Sequence, residues 1–513
     1  VGEAIAEKVS EIIRTGELGY LKELREEFPA GLLQLMEVQE IGPKTVMRVY
    51  RDLKVTDLHG LKKAAEEHRI RRMKGFGKKS EENILKGIRV LEQRSKRMLL
   101  GYAYFYAKGI VDYMVKTGGY RLISVAGSLR RMKETIGDID ILVGSDEPMR
   151  VMNVFVSNPE VDEVIAKGET RSSVRLRDGV QVDIRVVPTD SYGAALQYFT
   201  GSKEHNIALR SLAIDRGLKI NEYGVFRKST EERIAGRTEE EVYATLGLEV
   251  MPPEIRENRG EIKAAMERSL PRLIEIGDIR GDFHVHSKFS DGEATVEEIA
   301  AEALRRGYEY IGITDHSESL KVAGGVSAED LPRNIDEIRA ISDKIKGVRV
   351  LMGAEVEIRS DGSLDYPDSV LKDLDFVVGG VHSGFKMSER EMTNRVLTAM
   401  SNDHLTILAH PTGRVIGQRE PYDIDLDKIM EAAREKGVFL EINALPERLD
   451  LNDLNCRKAK ERGVGLCMGT DAHGLAQLGY MIFGVATGRR GWLERKDVLN
   501  MMSASELAKT LGI

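Results

Sequence analysis

The chain has 513 residues, too many for one ordinary hydrophobic core, so at least two domains and about four or five smaller units are expected. With 42% hydrophobic and 31% charged residues it has the composition of a soluble globular protein. No apolar run is long enough to span a bilayer or act as a secretory signal, so the expectation is a cytoplasmic chain with no membrane partner. The net charge of -7 argues against nucleic acid only if charge is spread evenly. Cys456 and Cys467 are too few for a disulfide framework or a cysteine zinc site, so any metal must use His and carboxylates.

The chain opens on Val1, and its natural start is expected to lie further upstream. Between Arg69 and Arg97 stand eleven Lys or Arg against Glu81, Glu82 and Glu92, a stripe suited to phosphates. Within it, Met73-Lys74-Gly75-Phe76-Gly77-Lys78-Lys79-Ser80 reads as a tight Gly-x-Gly hairpin between two helices. Gly75 and Gly77 allow positive φ and close approach, so that backbone N–H groups opening the next helix can meet a phosphate, with Lys78 and Lys79 adding charge. A weaker copy, Glu40-Ile41-Gly42-Pro43-Lys44-Thr45, lies upstream with Glu40 in place of the first glycine, and a truncated one opens the chain at Val1-Gly2. Spaced copies point to DNA backbone binding without sequence readout, through Gly42, Gly75, Gly77, Lys78 and Lys79.

A strand over Leu122 to Val125 is expected to enter the small-residue turn Ala126-Gly127-Ser128-Leu129-Arg130-Arg131. From Thr135 to Val143 apolar and acidic residues then alternate with the strand period, placing Asp138 and Asp140 on one face. Carboxylates held side by side repel each other unless hard cations lie between them, which suits Mg2+ or Mn2+. Asp183, in the alternating strand Val180 to Val187, supplies a third. Three carboxylates can hold two metals that clamp an in-line phosphoryl transfer, with Asp183 as the candidate base for a 3'-hydroxyl.

These motifs resemble the family X DNA polymerases, within them the bacterial and archaeal branch, over nearly the whole first half. The resemblance implies that Gly127, Ser128, Arg131 and Gly137 contact the triphosphate of a dNTP, while Asp138, Asp140 and Asp183 hold the metals. It implies a sugar-facing turn at Tyr198-Phe199-Thr200-Gly201-Ser202, with Tyr198, Phe199, Gly201 and Ser202 around the deoxyribose. Asn206 and Arg210 fall where the family contacts the nascent pair and the template strand. Lys203 replaces the aspartate that the family places beside the base, and Lys8 matches a Schiff-base lyase lysine, although Ala4 and Glu17 stand where supporting lysines belong.

After Pro252-Pro253 and a charged stretch, a new rhythm begins: a short apolar strand ending in His or a carboxylate, a loop, then a helix. The strand ends carry His284, His286 and Asp291, then His316, Glu355, His382, His410, Asp471 and His473; six of the ten histidines in the chain stand there. Ligands at successive parallel strand ends converge on one barrel mouth, so a metal cluster is expected. The pattern resembles the PHP (polymerase and histidinol phosphatase) domain, with all nine of its positions filled. That resemblance implies a distorted (β/α)7 TIM-like barrel and up to three Mn2+ or Zn2+ ions. Arg414, just after His410-Pro411, is a candidate for holding a phosphate, with a surface salt bridge as the alternative.

The expected layout is a lyase-like remnant at 1–25, a helix-hairpin-helix domain at 26–98, an α+β nucleotidyltransferase palm at 99–190, a thumb at 191–255, a linker at 256–280 and the PHP domain at 281–513. The resemblances imply a monomeric repair enzyme that fills short gaps in primed DNA, as in base excision repair. They add a 3'-5' exonuclease, with AP endonuclease or 3'-phosphatase activity beside it. Two rivals remain: a barrel acting as a small-molecule phosphatase or structural module, and a non-catalytic scaffold that binds DNA ends.

Overall fold

The computed structural model describes residues 28–94, except Ala30, Glu37, Gln39 and Glu40, and residues 97–513. Lys8, the truncated copy at Val1-Gly2 and Glu40 therefore lie outside the described residues. The chain divides at Lys96 into a small N-terminal unit and a larger one. In the small unit α1 (Pro43–Leu53), α2 (Leu58–Glu66) and α3 (Lys78–Arg94) pack around Val46, Val49, Leu61, Ala64, Ile84 and Ile88, all buried. Pro43 suits the first turn of α1, where a backbone N–H has no partner to lose. The Asp57 side chain caps α2 by accepting from the Gly60 N–H.

The larger unit begins with α4 (Leu100–Gly118), followed by β1 (Ile123–Val125), a short helix α5 (Gly127–Arg130) and β2 (Ile139–Gly144). Next come β3 (Val161–Lys167), β4 (Arg171–Leu176) and β5 (Gln181–Val187), in one sheet of order β1-β2-β5-β4-β3. Only β2 and β5 run parallel. Ile139, Ile141 and Val143 of β2 and Val182, Ile184 and Val186 of β5 turn to one face, packing with Leu100, Ala107 and Met114 of α4. Strand alternation therefore sends Asp140 and Asp183 to the other face, and the parallel register makes them direct partners. The expected single strand from Thr135 to Val143 is broken: Thr135–Ile136 pairs with Met98–Leu99, the chain turns through Gly137 and Asp138, and β2 starts at Ile139. Asp138 thus stands exposed at the strand's entry, outside its alternation.

Helices α6 (Tyr192–Thr200) and α7 (Lys203–Asp215) lead into an antiparallel sheet of Leu218–Asn221, Gly224–Arg227 and Arg233–Ala235. Their core of Leu209, Val225, Val242, Tyr243 and Met251 also takes in Ala265 and Leu273. Part of the expected linker at 256–280 thus packs on this core, and Arg256 is wholly buried.

The remainder is a barrel. Strands β6 (Gly281–Asp282), β7 (Tyr310–Ile313) and β8 (Arg349–Met352) form one parallel sheet, and β9 (Glu355–Glu357), β10 (Val377–Gly380), β11 (Leu405–Leu408), β12 (Phe439–Asn443) and β13 (Leu466–Gly469) a second. A His316–Glu355 bridge joins the sheets and a Val285–Ala472 bridge closes the ring. Because β8 and β9 are one path broken at Gly353-Ala354, the strand positions number seven. Around them lie α8 (Val296–Arg305), α9 (Leu331–Ser342), α10 (Glu389–Ala399), α11 (Leu426–Lys436), α12 (Asp453–Glu461) and α13 (Met481–Arg490). Leu449 and Phe483 of the barrel complete the core beneath the β1–β5 sheet, and Pro446 lies 2.7 Å from where a Cβ on Gly101 would stand. Among the described residues no helix is long and apolar enough to cross a membrane.

Candidate active sites

On the exposed face of the β1–β5 sheet, Gly127 opens α5 with φ +61°, and a Cβ there would stand 3.0 Å from Asp140 Oδ2. A side chain at this position would press on the carboxylate, so glycine is required. Burial first, then the charges of Asp138 and Asp183, push the Asp140 carboxyl up to about 6. Burial also opposes ionisation of Asp183, but hydrogen bonds from Ser173, Arg171 and Gln181 outweigh it and hold that carboxyl below its ordinary value. The Arg171 guanidinium lies 2.9 Å from Asp183 Oδ2 and is the local counter-charge. Phe199 lines the same small pocket, beneath the Arg185 guanidinium 4.6 Å from its ring centre. The mutual repulsion felt by Asp140 is the behaviour of a donor set that fits hard divalent cations.

The other residues expected at nucleotide or DNA also make contacts within the chain. Tyr198, Phe199 and Thr200 form the last turn of α6, and only Gly201, at φ +73°, leaves it; the sugar-facing turn is largely a helix end. Ser202 caps α7 by accepting from the His205 N–H. The Asn206 amide donates to the Tyr198 carbonyl and accepts from Gln197, both at 2.7 Å, so it ties α7 to α6. Arg210 is exposed, its Nε on the Asn206 carbonyl. Arg131 is mostly buried, donating to Glu257 Oε1 and to the Thr200 carbonyl.

At the barrel mouth all nine expected ligands converge. Glu355 is the hub: its carboxylate oxygens lie 2.9 Å from His316 Nδ1, 3.0 Å from His410 Nε2, 3.1 Å from His382 Nε2 and 3.3 Å from His284 Nε2. Asp471 Oδ1 stands 3.2 Å from His286 Nε2, and Asp291 Oδ2 lies 3.4 Å from His473 Nε2. The His286 ring stacks between those of His316 and His473 at 4.3 and 4.2 Å. Donor atoms gather in three overlapping groups: His286, Asp291, His316 and His473; His284, His286 and Asp471; His316, Glu355 and His382. The buried nitrogens His284 Nε2, His286 Nδ1 and His316 Nδ1 have carboxylates nearby but no hydrogen bond aligned with them, as expected of ring nitrogens aimed at a shared cation. Burial opposes the charged form of Glu355, yet His284, His382 and His316 hold its carboxyl well below the ordinary range. Three carboxylates among six imidazoles leave excess negative charge that fits several divalent ions.

A second ring of residues, outside the nine expected ligands, orients them. Glu441 accepts from His284 Nδ1 and the His410 N–H, both at 2.7 Å. Glu357 binds His382 Nδ1 at 2.8 Å, and Asn443 donates to Asp471 Oδ2 at 3.1 Å. Such partners fix the ring tautomer and sharpen ligand orientation. Their signal was in the chain: Glu357 follows Glu355 with strand period, and Glu441 ends a strand as the ligands do. Arg414 does not face the cluster; it donates to the Arg448 and Leu449 carbonyls and to Glu134 of the palm. Arg448, unsuspected from sequence, is the arginine beside Asp471, its Nε 3.5 Å from Oδ2.

In the N-terminal unit, Gly75 has φ +85°, and Lys74, Gly75, Gly77, Lys78 and Lys79 are exposed, as is Gly42 at the start of α1. Arg48 links the two hairpins, binding the Lys74 carbonyl and lying 5.0 Å from the Phe76 ring centre. Glu81, counted above against the basic stripe, is fully buried and bonded to Arg71 and His68, so it neutralises Arg71 and leaves the other cations of the stripe unopposed by it.

Residues 32–89 match the SAM-like helix-hairpin-helix tandem family, 195–257 the DNA polymerase beta thumb and 282–444 the PHP domain. A protein of Bacillus subtilis (strain 168) described as DNA polymerase/3'-5' exonuclease PolX is 40% identical over 509 residues, 99% of this chain and 89% of that one. A probable phosphatase of Thermoanaerobacter sp. (strain X514) is 33% identical over 204 residues, 37% of this chain and 78% of its own. Another probable phosphatase, from Acetivibrio thermocellus, is 32% identical over 203 residues, 37% of this chain and 78% of its own.

Proposed function

The chain belongs to the PolX family of DNA polymerase/3'-5' exonucleases, and on that premise we propose that it fills short gaps in damaged DNA and trims 3' ends with its barrel. The observation that carries this reading is the presence, in one chain, of two acidic centres of different make. One is the parallel pair Asp140 and Asp183; the other is the nine-residue cluster around Glu355.

At the first centre Asp138, Asp140 and Asp183 would hold Mg2+ or Mn2+; at the second, the nine His, Asp and Glu residues would hold up to three Mn2+ or Zn2+ ions. Divalent cations on these donor sets neutralise phosphate charge and lower the pKa of an attacking oxygen. Arg171 must release Asp183 before that carboxylate can serve a metal or take the proton of a primer 3'-hydroxyl. Gly127 and Ser128 offer backbone N–H groups at the start of α5 to the triphosphate, with Arg131 adding charge. Phe199, fixed under Arg185, walls the sugar side. Around the barrel cluster Glu441 and Glu357 hold His284 and His382 in place, and Arg448 stands ready for a phosphodiester oxygen. The hairpins of the N-terminal unit would follow the DNA backbone, with Gly42, Gly75, Gly77, Lys78 and Lys79 as contacts.

The probable phosphatases match 37% of this chain, which supports phosphomonoester chemistry beside strand trimming, and a 3'-phosphate would be its form on DNA. Extension and degradation of a labelled primer on gapped DNA with Mn2+ test the reading. Asp183→Ala should stop extension and leave degradation; His316→Ala should do the reverse. Degradation that survives His316→Ala would confine the barrel to small phosphomonoesters or to structure.

A further inference from the structure

Three arginines and two carboxylates lie together where the barrel meets the polymerase core. Arg490, the last residue of α13, has a side chain only 4% exposed. Its Nη1 donates to the backbone carbonyl of Arg131 at 2.7 Å and to Glu257 Oε1 at 3.0 Å, and its Nη2 donates to Asp453 Oδ2 at 2.8 Å. The same Glu257 oxygen accepts from Arg131 Nε at 3.0 Å, and Arg259 Nη1 reaches Asp453 at 2.9 Å. One barrel side chain therefore holds the main chain of Arg131 directly and its guanidinium through a single carboxylate. Burial opposes the charge on Glu257, but Arg131, Arg490 and Lys133 keep its carboxyl below the ordinary range.

The contacts of Arg131 to Glu257 and to the Thr200 carbonyl use Nε and Nη1, so Nη2 is the part of the fork they leave over. Three residues on, Arg414 binds Glu134 at 2.8 Å, so the barrel grips both ends of the segment that leads from α5 towards Asp138. An arginine immobilised in advance has already given up the rotamer freedom that gripping a phosphate would otherwise cost.

We propose that Glu257, clamped by Arg490, is a positioning residue that presents Arg131 to the triphosphate of the incoming nucleotide, which makes the barrel a structural part of the polymerase's nucleotide site. This rests on the reading of Arg131 as a triphosphate ligand. A cluster that merely glued two domains together would, when broken, lower stability and depress both activities in step.

The test uses the full chain on gapped DNA, measuring KM and kcat for a dNTP with 3'-5' degradation in the same preparation. Glu257→Gln and Arg490→Gln should each raise the dNTP KM about tenfold, leave kcat within about twofold and spare degradation. The double variant should fall well short of the product of the two single effects, because both share one carboxylate. Arg490→Lys should recover part of the loss. Arg131→Ala separates the two levels of the argument. If it raises KM while Glu257→Gln does not, the positioning role is overturned and the ligand reading survives; if it leaves KM unchanged, the ligand reading itself fails. Should Arg490→Gln fail to fold, the near-isosteric Glu257→Gln decides alone. Parallel loss of extension and degradation in Glu257→Gln would assign the cluster to holding the fold and overturn the proposal.

Discussion

The polymerase face and the barrel mouth both gather carboxylates, yet they are built to different degrees. Most of the barrel cluster is buried, two of its imidazoles are held from behind by Glu441 and Glu357, and Glu355 already touches four rings. The polymerase face offers three carboxylates on an open sheet, one exposed before its strand and one paired with Arg171. A hydrolase that needs only an incoming strand can be assembled in advance. A nucleotidyltransferase that must meet both primer and nucleotide is left for them to complete.

The sharpest way to break this comparison is to remove one carboxylate from each centre. Asp140→Asn should lower extension by a factor on the order of a thousand and leave degradation intact, whereas Glu355→Gln should do the opposite, read by single-turnover gels. Loss of both activities in either variant would merge the two centres.

Next in size is a structural carboxylate. Glu239 is buried, but Arg130 and Arg256 hold its carboxyl down at about 2. Because its folded pKa lies below the ordinary 4.5, the stability it confers is full above that value and is lost as pH falls through about 2. Glu239→Gln should therefore cost roughly 3 kcal/mol at pH 7, and the cost should fade on acidification below pH 4.5. Equal destabilisation at pH 3 and pH 7, measured by urea unfolding, would refute the charge argument.

The supporting ring comes third: Glu441→Gln should weaken metal binding at the barrel about tenfold to a hundredfold by calorimetry, with extension unaffected. The smallest effects belong to the polymerase face. Arg171→Ala should raise apparent Mg2+ affinity severalfold by freeing Asp183. Since the Asp140 carboxyl sits near 6, a proton competes with the cation below that pH, so affinity should drop about tenfold per unit below 6 and level off above it. A flat profile from pH 5 to 8 would overturn the raised carboxyl or its place among the ligands, and Asp140→Asn, which cannot titrate, tells the two apart by its affinity.

The candidate ligands were legible because strand periodicity and strand-end spacing are local properties. Asp140 and Asp183 follow from alternation, and the six barrel histidines from repetition of one βα unit. What stayed hidden is made by contacts between distant segments. Glu441 lies 157 residues from His284, Arg490 lies 233 from Glu257, and no local pattern joins them. Local reading also overran at Asp138, where Gly137 breaks an otherwise even alternation, and at Tyr198, where a helix runs on to the residue before Gly201. Of the two readings of Arg414 the salt bridge is the one found: its neighbour in sequence is a candidate ligand, but its side chain is drawn to Glu134 by the fold.

The sharing of core residues between palm and barrel limits how the protein can be dissected. Phe483 packs edge-on against Tyr104 and Phe105 at 5.6 and 6.0 Å, and Leu449 joins the same core. A shortened chain ending before Gly281 would strip both from the palm, bare an aromatic face and leave Glu257 and Glu134 without their barrel partners. Such a fragment is expected to be sticky and poorly soluble, so the loss of extension on truncation would say little about whether exonuclease chemistry assists synthesis.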